Sequence, residues 1–285
     1  MDFHVGLIGY PIANSLSPSM HNAAFQSLDL HMEYHLWNTV QSDVPQRVAT
    51  LKNPEFLGAN VTVPYKQTVL PLLDVLAPSA QQAGAVNTII KRNGLLVGEN
   101  TDVSGLLQAL QEIRQQISRA VVIGSGGAAY AACAALAEMN ADHITILARN
   151  APAADTMMRH FFAAQPGFWN SDKITRVLPG SAEAMAQLAQ ADCVIQASSF
   201  GSAYNPGCPL TVAEIATLPA SALVYDVILY ETALVQAARR RNVAAANGAS
   251  MLLYQGALAW TMWTRCSAPI EVMRAALQTA LNLAQ

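Results

Sequence analysis

Residues 119–137 read RAVVIGSGGAAYAACAALA, and the fold turns on them. An apolar run at 120–123 ends at Gly124, with Gly126 and Ala129 completing the spacing GxGxx(G/A) before an alanine-rich stretch. The pattern predicts a strand, a tight glycine turn and a buried helix. Small residues are required where a backbone must turn sharply and let a pyrophosphate approach free amides at the positive end of a helix. A strand joined to a helix for packing alone would use the same turn, so the loop by itself names no reaction. HITILAR (143–149), DCVIQASS (192–199) and ALVYDVI (222–228) read as later strands. Together these segments predict a Rossmann-type, doubly wound nucleotide-binding domain.

About 20 residues past such a loop, an NAD-binding domain usually offers Asp or Glu to the ribose hydroxyls. Here the strand ends in Arg149 instead. A guanidinium suits the extra phosphate of NADP, which favours NADP over NAD. Asp155 remains the alternative, as a ribose ligand.

Upstream, HVGLIG, EYHLWNTV and GANVTV alternate with helical segments and have Gly and Pro at the junctions, an α/β rhythm. Ser17 followed by Pro18 predicts a helix N-cap. Val103, Leu106, Leu107, Leu110 and Ile113 fall on one helical face, and the tail from Met251 to Trp263 and from Glu271 to Leu283 is helical in pattern. With 285 residues, two domains and a cleft are expected. The boundaries drawn are 1–103 for an α/β substrate domain, 104–246 for the nucleotide domain and 247–285 for C-terminal helices returning to the first.

Net charge is −3 and the 16 basic residues are scattered, so neither nucleic acid nor an anionic membrane is an expected partner. No export signal is visible at the start, and the most apolar stretch, 128–137, is too short to span a bilayer. Cys133, Cys193, Cys208 and Cys266 lie far apart, which suits reduced thiols and a cytoplasmic location. No spacing of His, Cys, Asp or Glu suggests a metal, and none is expected. His21 is assigned no role, and His143 is expected to be solvated.

Five segments carry a resemblance: GYPIANSLSPSMHNAAF (9–25), GANVTVPYK (58–66), GAVNTI (84–89), GENTDVSG (98–105) and NGASMLLYQGA (247–257). In this order, with the GSGGAA loop in its usual place, they resemble the shikimate dehydrogenase family over nearly the whole chain. The resemblance implies reversible oxidation of shikimate to 3-dehydroshikimate with NADP or NAD. It also implies that Ser15 and Ser17 hold the substrate carboxylate with Thr62 nearby, and that Asn87 and Gln255 hold ring hydroxyls. Lys66 is implied as the proton carrier and Asp102 as its partner. The cofactor-binding candidates are Gly124, Ser125, Gly126, Gly127 and Ala128 of the glycine loop and Arg149 at the strand end, with Ser198 and Gly248.

Chemistry supports these roles. Short hydroxyls donate charge-assisted hydrogen bonds to a carboxylate, amides donate and accept at once, and alcohol oxidation needs an acid–base group as hydride departs. In isolation, Lys66 reads equally as a surface lysine and Asp102 as a helix cap.

The sequence departs from the family pattern at Asn14, at Ala148, Arg149 and Asn150, at QASSFGS (196–202) and at YDVILYETAL (225–234), where whether Tyr230 reaches the substrate is left open. These departures keep two alternatives in view, a quinate or amino-shikimate dehydrogenase and a non-catalytic sensor of the same fold; a folate-linked dehydrogenase of similar layout would follow from the GSGGAA loop alone and is disfavoured by NSLSPS (14–19) and GENTD (98–102). The expected partners are a small-molecule substrate and, as one option, a second copy of the chain.

Overall fold

A computed structural model describes residues 2–164 and 169–284. The chain opens with β1 (Phe3–Gly9), α1 (Ser17–Ser27), β2 (Met32–Asn38), α2 (Val44–Thr50) and β3 (Gly58–Val61). It continues through β4 (Val75–Leu76), α3 (Pro78–Ala83), β5 (Thr88–Arg92), β6 (Leu95–Glu99) and α4 (Asp102–Ile113). The six strands form one mixed sheet in the order β2-β1-β3-β5-β6-β4. β1 runs parallel to β2 and β3, whereas β5 is antiparallel to β3 and β6. Register sets Asn60 opposite both Leu7 and Thr88, and Thr88 opposite Glu99. Polar side chains from three strands therefore share one line across the sheet. Ile8, Val61, Ile89 and Leu96 fill the core beside them with Val44 and Val48 of α2.

Ser17 does not cap α1: the helix begins at Ser17 with Pro18 in its first turn, and Leu16 holds the cap position without a side-chain bond. The amide of Ser17 is met instead by Ser15 Oγ at 3.3 Å. A helical backbone at Ser17 frees its hydroxyl to turn inward. β5 and β6 meet at Asn93 and Gly94, whose φ angles of 50° and 79° suit the left-handed residues of a tight hairpin.

The second sheet is parallel throughout. Its elements are β7 (Arg119–Ile123), α5 (Gly127–Glu138), β8 (His143–Leu147), α6 (Ala151–Ala164), β9 (Ile174–Val177), α7 (Ala182–Leu188) and β10 (Cys193–Gln196). α8 (Val212–Thr217), β11 (Leu223–Asp226), α9 (Ala233–Arg240) and β12 (Ala244–Ala246) complete it. The order β12-β11-β10-β7-β8-β9 reverses between β7 and β10, which is where a doubly wound sheet opens a crevice for its ligand. β7, β8 and β10 are buried on both faces almost from end to end, as strands in the middle of a parallel sheet are. α5 is buried from Ala129 to Ala137, and its alanines let it lie close against the sheet. His143 is not simply solvated: its ring bonds Asp172 O at 2.7 Å and Thr175 Oγ1 at 3.1 Å.

α10 (Ala249–Thr264) and α11 (Ile270–Ala284) end the chain. Two compact units result, Met1–Gly105 with Leu252–Gln285, and Leu106–Met251. The chain thus passes to the second unit within α4 and returns within α10. α11 packs on α1, Trp260 stacks on Phe25, and Trp263 Nε1 donates to Ile89 O at 3.1 Å, tying the returning helices to the first sheet. Among the described residues no helix is long and apolar enough to cross a membrane.

Candidate active site

Thr62 to Lys66 leave β3 in a short turn, anchored where Tyr65 OH donates to Thr39 O at 2.8 Å and Val86 N donates to Lys66 O at 2.8 Å. Lys66 Nζ then donates to Asp102 Oδ2 at 2.6 Å. The lysine side chain is 21% exposed and the carboxylate 8%, so the pair is largely shielded from solvent. Asp102 opens α4, and its amide is held by Asn100 Oδ1 at 3.0 Å. Its other oxygen, Oδ1, accepts from Asn87 Nδ2 at 2.8 Å. Both carboxylate oxygens are therefore engaged, which fixes the plane of the group and the direction in which Lys66 is held.

Asn87 is the hub of this region. Its Nδ2 also faces Thr101 Oγ1 at 3.0 Å and Gln255 Oε1 at 3.4 Å, and its Oδ1 accepts from the Thr101 amide at 2.8 Å and Thr88 Oγ1 at 3.0 Å. Gln255, on α10, anchors its own Nε2 on Leu252 O at 2.9 Å. The set continues across the sheet, since Asn60 Nδ2 donates to Thr88 Oγ1 at 3.1 Å and Tyr34 OH donates to Asn60 Oδ1 at 2.9 Å. One hydrogen-bonded chain thus runs from Tyr34 to the acid–base pair through buried side chains. Ser15 Oγ lies 3.2 Å from Ser17 Oγ at the start of α1. Thr62 follows β3 with its amide on Ile8 O at 2.9 Å and packs against Gly9.

His21 stands apart from this network. Its ring is fully buried, stacked on Tyr34 with centroids 4.4 Å apart, and neither nitrogen has a hydrogen-bond partner. Burial holds its pKa down at about 3, so the ring is neutral.

In the second unit, Gly124 ends β7 with φ 121°, and a Cβ there would lie 3.0 Å from Ala197 O beyond the end of β10. Glycine is required by both conformation and approach. Gly126 is different: a Cβ on it would meet nothing within 4 Å. It stands at the N-cap of α5, where no side chain caps the helix, so the first-turn amides at Gly127 and Ala128 are left for a ligand. Ser125 lies between the two glycines. An uncapped, unobstructed helix start fits a pyrophosphate.

Ser198 is tied into its own turn, with its amide and hydroxyl both 3.1 Å from Gln196 Oε1 and its oxygen accepting from the Phe200 amide. The Arg149 guanidinium lies over the Phe200 ring at 5.3 Å. Asp155, the alternative ribose ligand, is paired with Arg176 at 2.8 Å. Gly248 N donates to Ile228 O at 2.9 Å, and a Cβ would fall 2.2 Å from Val227 O, so this glycine is fixed by close packing of backbone. Tyr230 lies half-buried in the bend between β11 and α9.

Comparison with known proteins supplies the rest. Residues 7–89 match the family described as the shikimate dehydrogenase substrate binding domain, and residues 248–278 match the shikimate 5'-dehydrogenase C-terminal domain. A shikimate dehydrogenase (NADP+) of Symbiobacterium thermophilum is 38% identical over 98% of this chain and 94% of its own. This chain belongs to the shikimate dehydrogenase family.

Solved structures agree with the family assignment. The shikimate 5-dehydrogenase of Thermus thermophilus, in complex with NADP(H) and shikimate, superposes with a TM-score of 0.84 at 29% identity, covering 98% of this chain and all of that one. A quinate dehydrogenase from Corynebacterium glutamicum in complex with NAD gives 0.86 at 27% identity, covering 98% and 99%. Against this family background, the structure brings Lys66, Asp102, Asn87 and Gln255 together, and separately pairs Ser15 with Ser17. Sequence reasoning missed Tyr34, Asn60, Thr88 and Thr101, which extend the network around Asn87 across the sheet. It also missed Gln196, which shapes the Ser198 turn from a fully buried position.

Proposed function

We propose that this chain catalyses the reversible, NADP-dependent oxidation of shikimate to 3-dehydroshikimate. The observation that carries the reading is the Lys66–Asp102 contact of 2.6 Å, oriented by Asn87, in a chain of this family. In this reading residues 1–103 with the returning helices bind the substrate and residues 104–246 bind the nucleotide. Ser15 and Ser17, with Thr62 beside them, donate to the carboxylate, and Asn87 and Gln255 hold ring hydroxyls.

Lys66 Nζ moves the proton of the reacting hydroxyl, taking it in oxidation and returning it in reduction. Asp102 keeps Nζ in place and accepts a hydrogen bond from the substrate. When bound, the nicotinamide accepts or returns the hydride, a step no side chain of the protein can perform. The open helix start at Gly126 would hold its pyrophosphate, with Arg149 facing the extra phosphate of NADP. The pairing of Asp155 with Arg176 and the absence of a carboxylate partner on Arg149 among the described residues support NADP over NAD. Four free cysteines, two of them buried, suit a cytoplasmic setting.

A second reading, quinate as substrate, is favoured by the likeness to a quinate dehydrogenase and by the altered segments at 196–202 and 225–234. Absorbance at 340 nm, with shikimate and quinate each crossed with NADP and NAD, tests both. Reduction of NADP with shikimate is expected. A flat trace for shikimate beside turnover of quinate would replace the first reading with the second.

A further inference from the structure

We infer that His4, Glu33 and His35 form a binding site for a divalent transition-metal ion of the zinc class. Among the described residues, this is the group of His, Cys, Asp and Glu side chains whose ligand atoms converge, all within 4.8 Å of one another. His4 Nδ1 and His35 Nε2 are 3.0 Å apart, and His35 Nε2 is 3.7 Å from Glu33 Oε2. Ligands bound about 2.0–2.1 Å from one ion stand roughly 3 to 3.5 Å apart, so small side-chain rotations bring all three onto a shared centre. The ion replaces the proton that now lies between the two rings; that proton is released and the ring that carried it takes one up on its other nitrogen, so both imidazoles ligate in the neutral form.

The donors are held before any ion arrives. β1 and β2 pair in parallel with His4 opposite Glu33, and His35 follows Glu33 on the same face of β2. The backbone of His4 is fixed on its other side by bonds to Glu55 O and from Leu57 N. Trp37 stacks on His35 at 6.3 Å and 16°, Phe56 lies against His4 at 6.0 Å, and Arg47 covers Trp37 at 5.3 Å. Two imidazoles and one carboxylate suit zinc, nickel or cobalt and not magnesium or calcium, which take oxygen ligands. Glu33 is exposed, which leaves an entry path and a position for water.

The site is remote from the reaction. His4 is near the start of β1 and the serine loop follows its far end, five residues or roughly 16 Å along the strand. An ion here would join β1 to the edge strand β2 and stabilise the fold in proportion to its occupancy.

The test uses the full chain stripped of metal, carrying Cys266→Ser so that the exposed thiol cannot compete. Calorimetric titration with Zn2+ is expected to show one saturable equivalent and a raised melting temperature, with turnover unchanged. His35→Ala should abolish the saturable binding. Glu33→Gln, an exposed change that leaves the fold intact, should weaken it. Absence of saturable binding in the parent, or equal affinity in all three proteins, overturns the assignment. Because turnover is read separately, this outcome is independent of the proposed reaction.

Discussion

In the first unit, the polar side chains of the candidate pocket are already satisfied by one another, whereas in the second the nucleotide loop leaves backbone donors open. Asn60, Asn87, Thr88, Thr101 and Asp102 each have protein partners, so the pocket is formed before a substrate enters. At Gly126 the chain instead supplies clearance and an uncapped helix end. The contrast follows from the ligands each would hold. A small polyol acid needs donors at fixed spacing, supported by neighbours that cannot shift. A pyrophosphate needs amides and room.

Four changes break or sharpen that contrast. The largest effect is expected for Lys66→Ala, which removes the proton carrier from an otherwise intact pocket. Steady-state rates should show kcat reduced roughly 10²- to 10⁴-fold with KM for shikimate little changed.

Among the described residues His21 and Trp260 Nε1 are the exceptions within the satisfied unit, and pH exposes the first. The unfolded chain protonates this ring near 6.5 and the folded chain only at about 3, so the unfolded state binds more protons between those values. Stability from this group is complete above pH 6.5 and is lost as pH falls toward 3, amounting to about 2 kcal/mol at pH 5. Urea midpoints for wild type and His21→Leu should diverge in slope over that range, with the variant flatter.

Gly126→Ala asks whether clearance matters. The new methyl meets no protein atom within 4 Å, so the melting temperature should hold. KM for NADP should rise about tenfold, roughly 1.4 kcal/mol. Equal nucleotide affinity would mean that the loop is only a packing turn. The smallest effect is expected for Tyr34→Phe, which leaves Asn60 Oδ1 without its donor. Stability should fall by about 1 kcal/mol, and KM for shikimate should rise several-fold while kcat stays near wild type.

How much of this was legible beforehand divides along the same line. The nucleotide loop is local: strand, glycines and helix are contiguous, so 119–137 suffices to read it. The serines, Lys66, Asn87, Asp102 and Gln255 were reached through the resemblance, since each alone reads as a cap or a surface residue. Tyr34, Asn60 and Thr88 were not legible, because their roles arise from the pairing of β1, β2, β3 and β5 and their partners lie 26 to 28 residues away. His4 and His35 escaped for the same reason. The serine–proline pair at Ser17 fits a cap, but Ser15 meets its amide and the Ser17 hydroxyl accepts from Ser15 Oγ. The Asn93–Gly94 turn is by contrast a local hairpin signal that the sequence carries on its own.

In the proposed reaction Lys66 and Asp102 act as a unit, and a double-mutant cycle in single-turnover kinetics measures that directly. With Lys66→Ala, Asp102→Asn and the double variant compared, the double variant is predicted to be no slower than Lys66→Ala alone, because the loss is already complete once one partner is gone. Losses that multiply independently, or a Lys66→Ala variant that turns over shikimate at the wild-type rate, would contradict it.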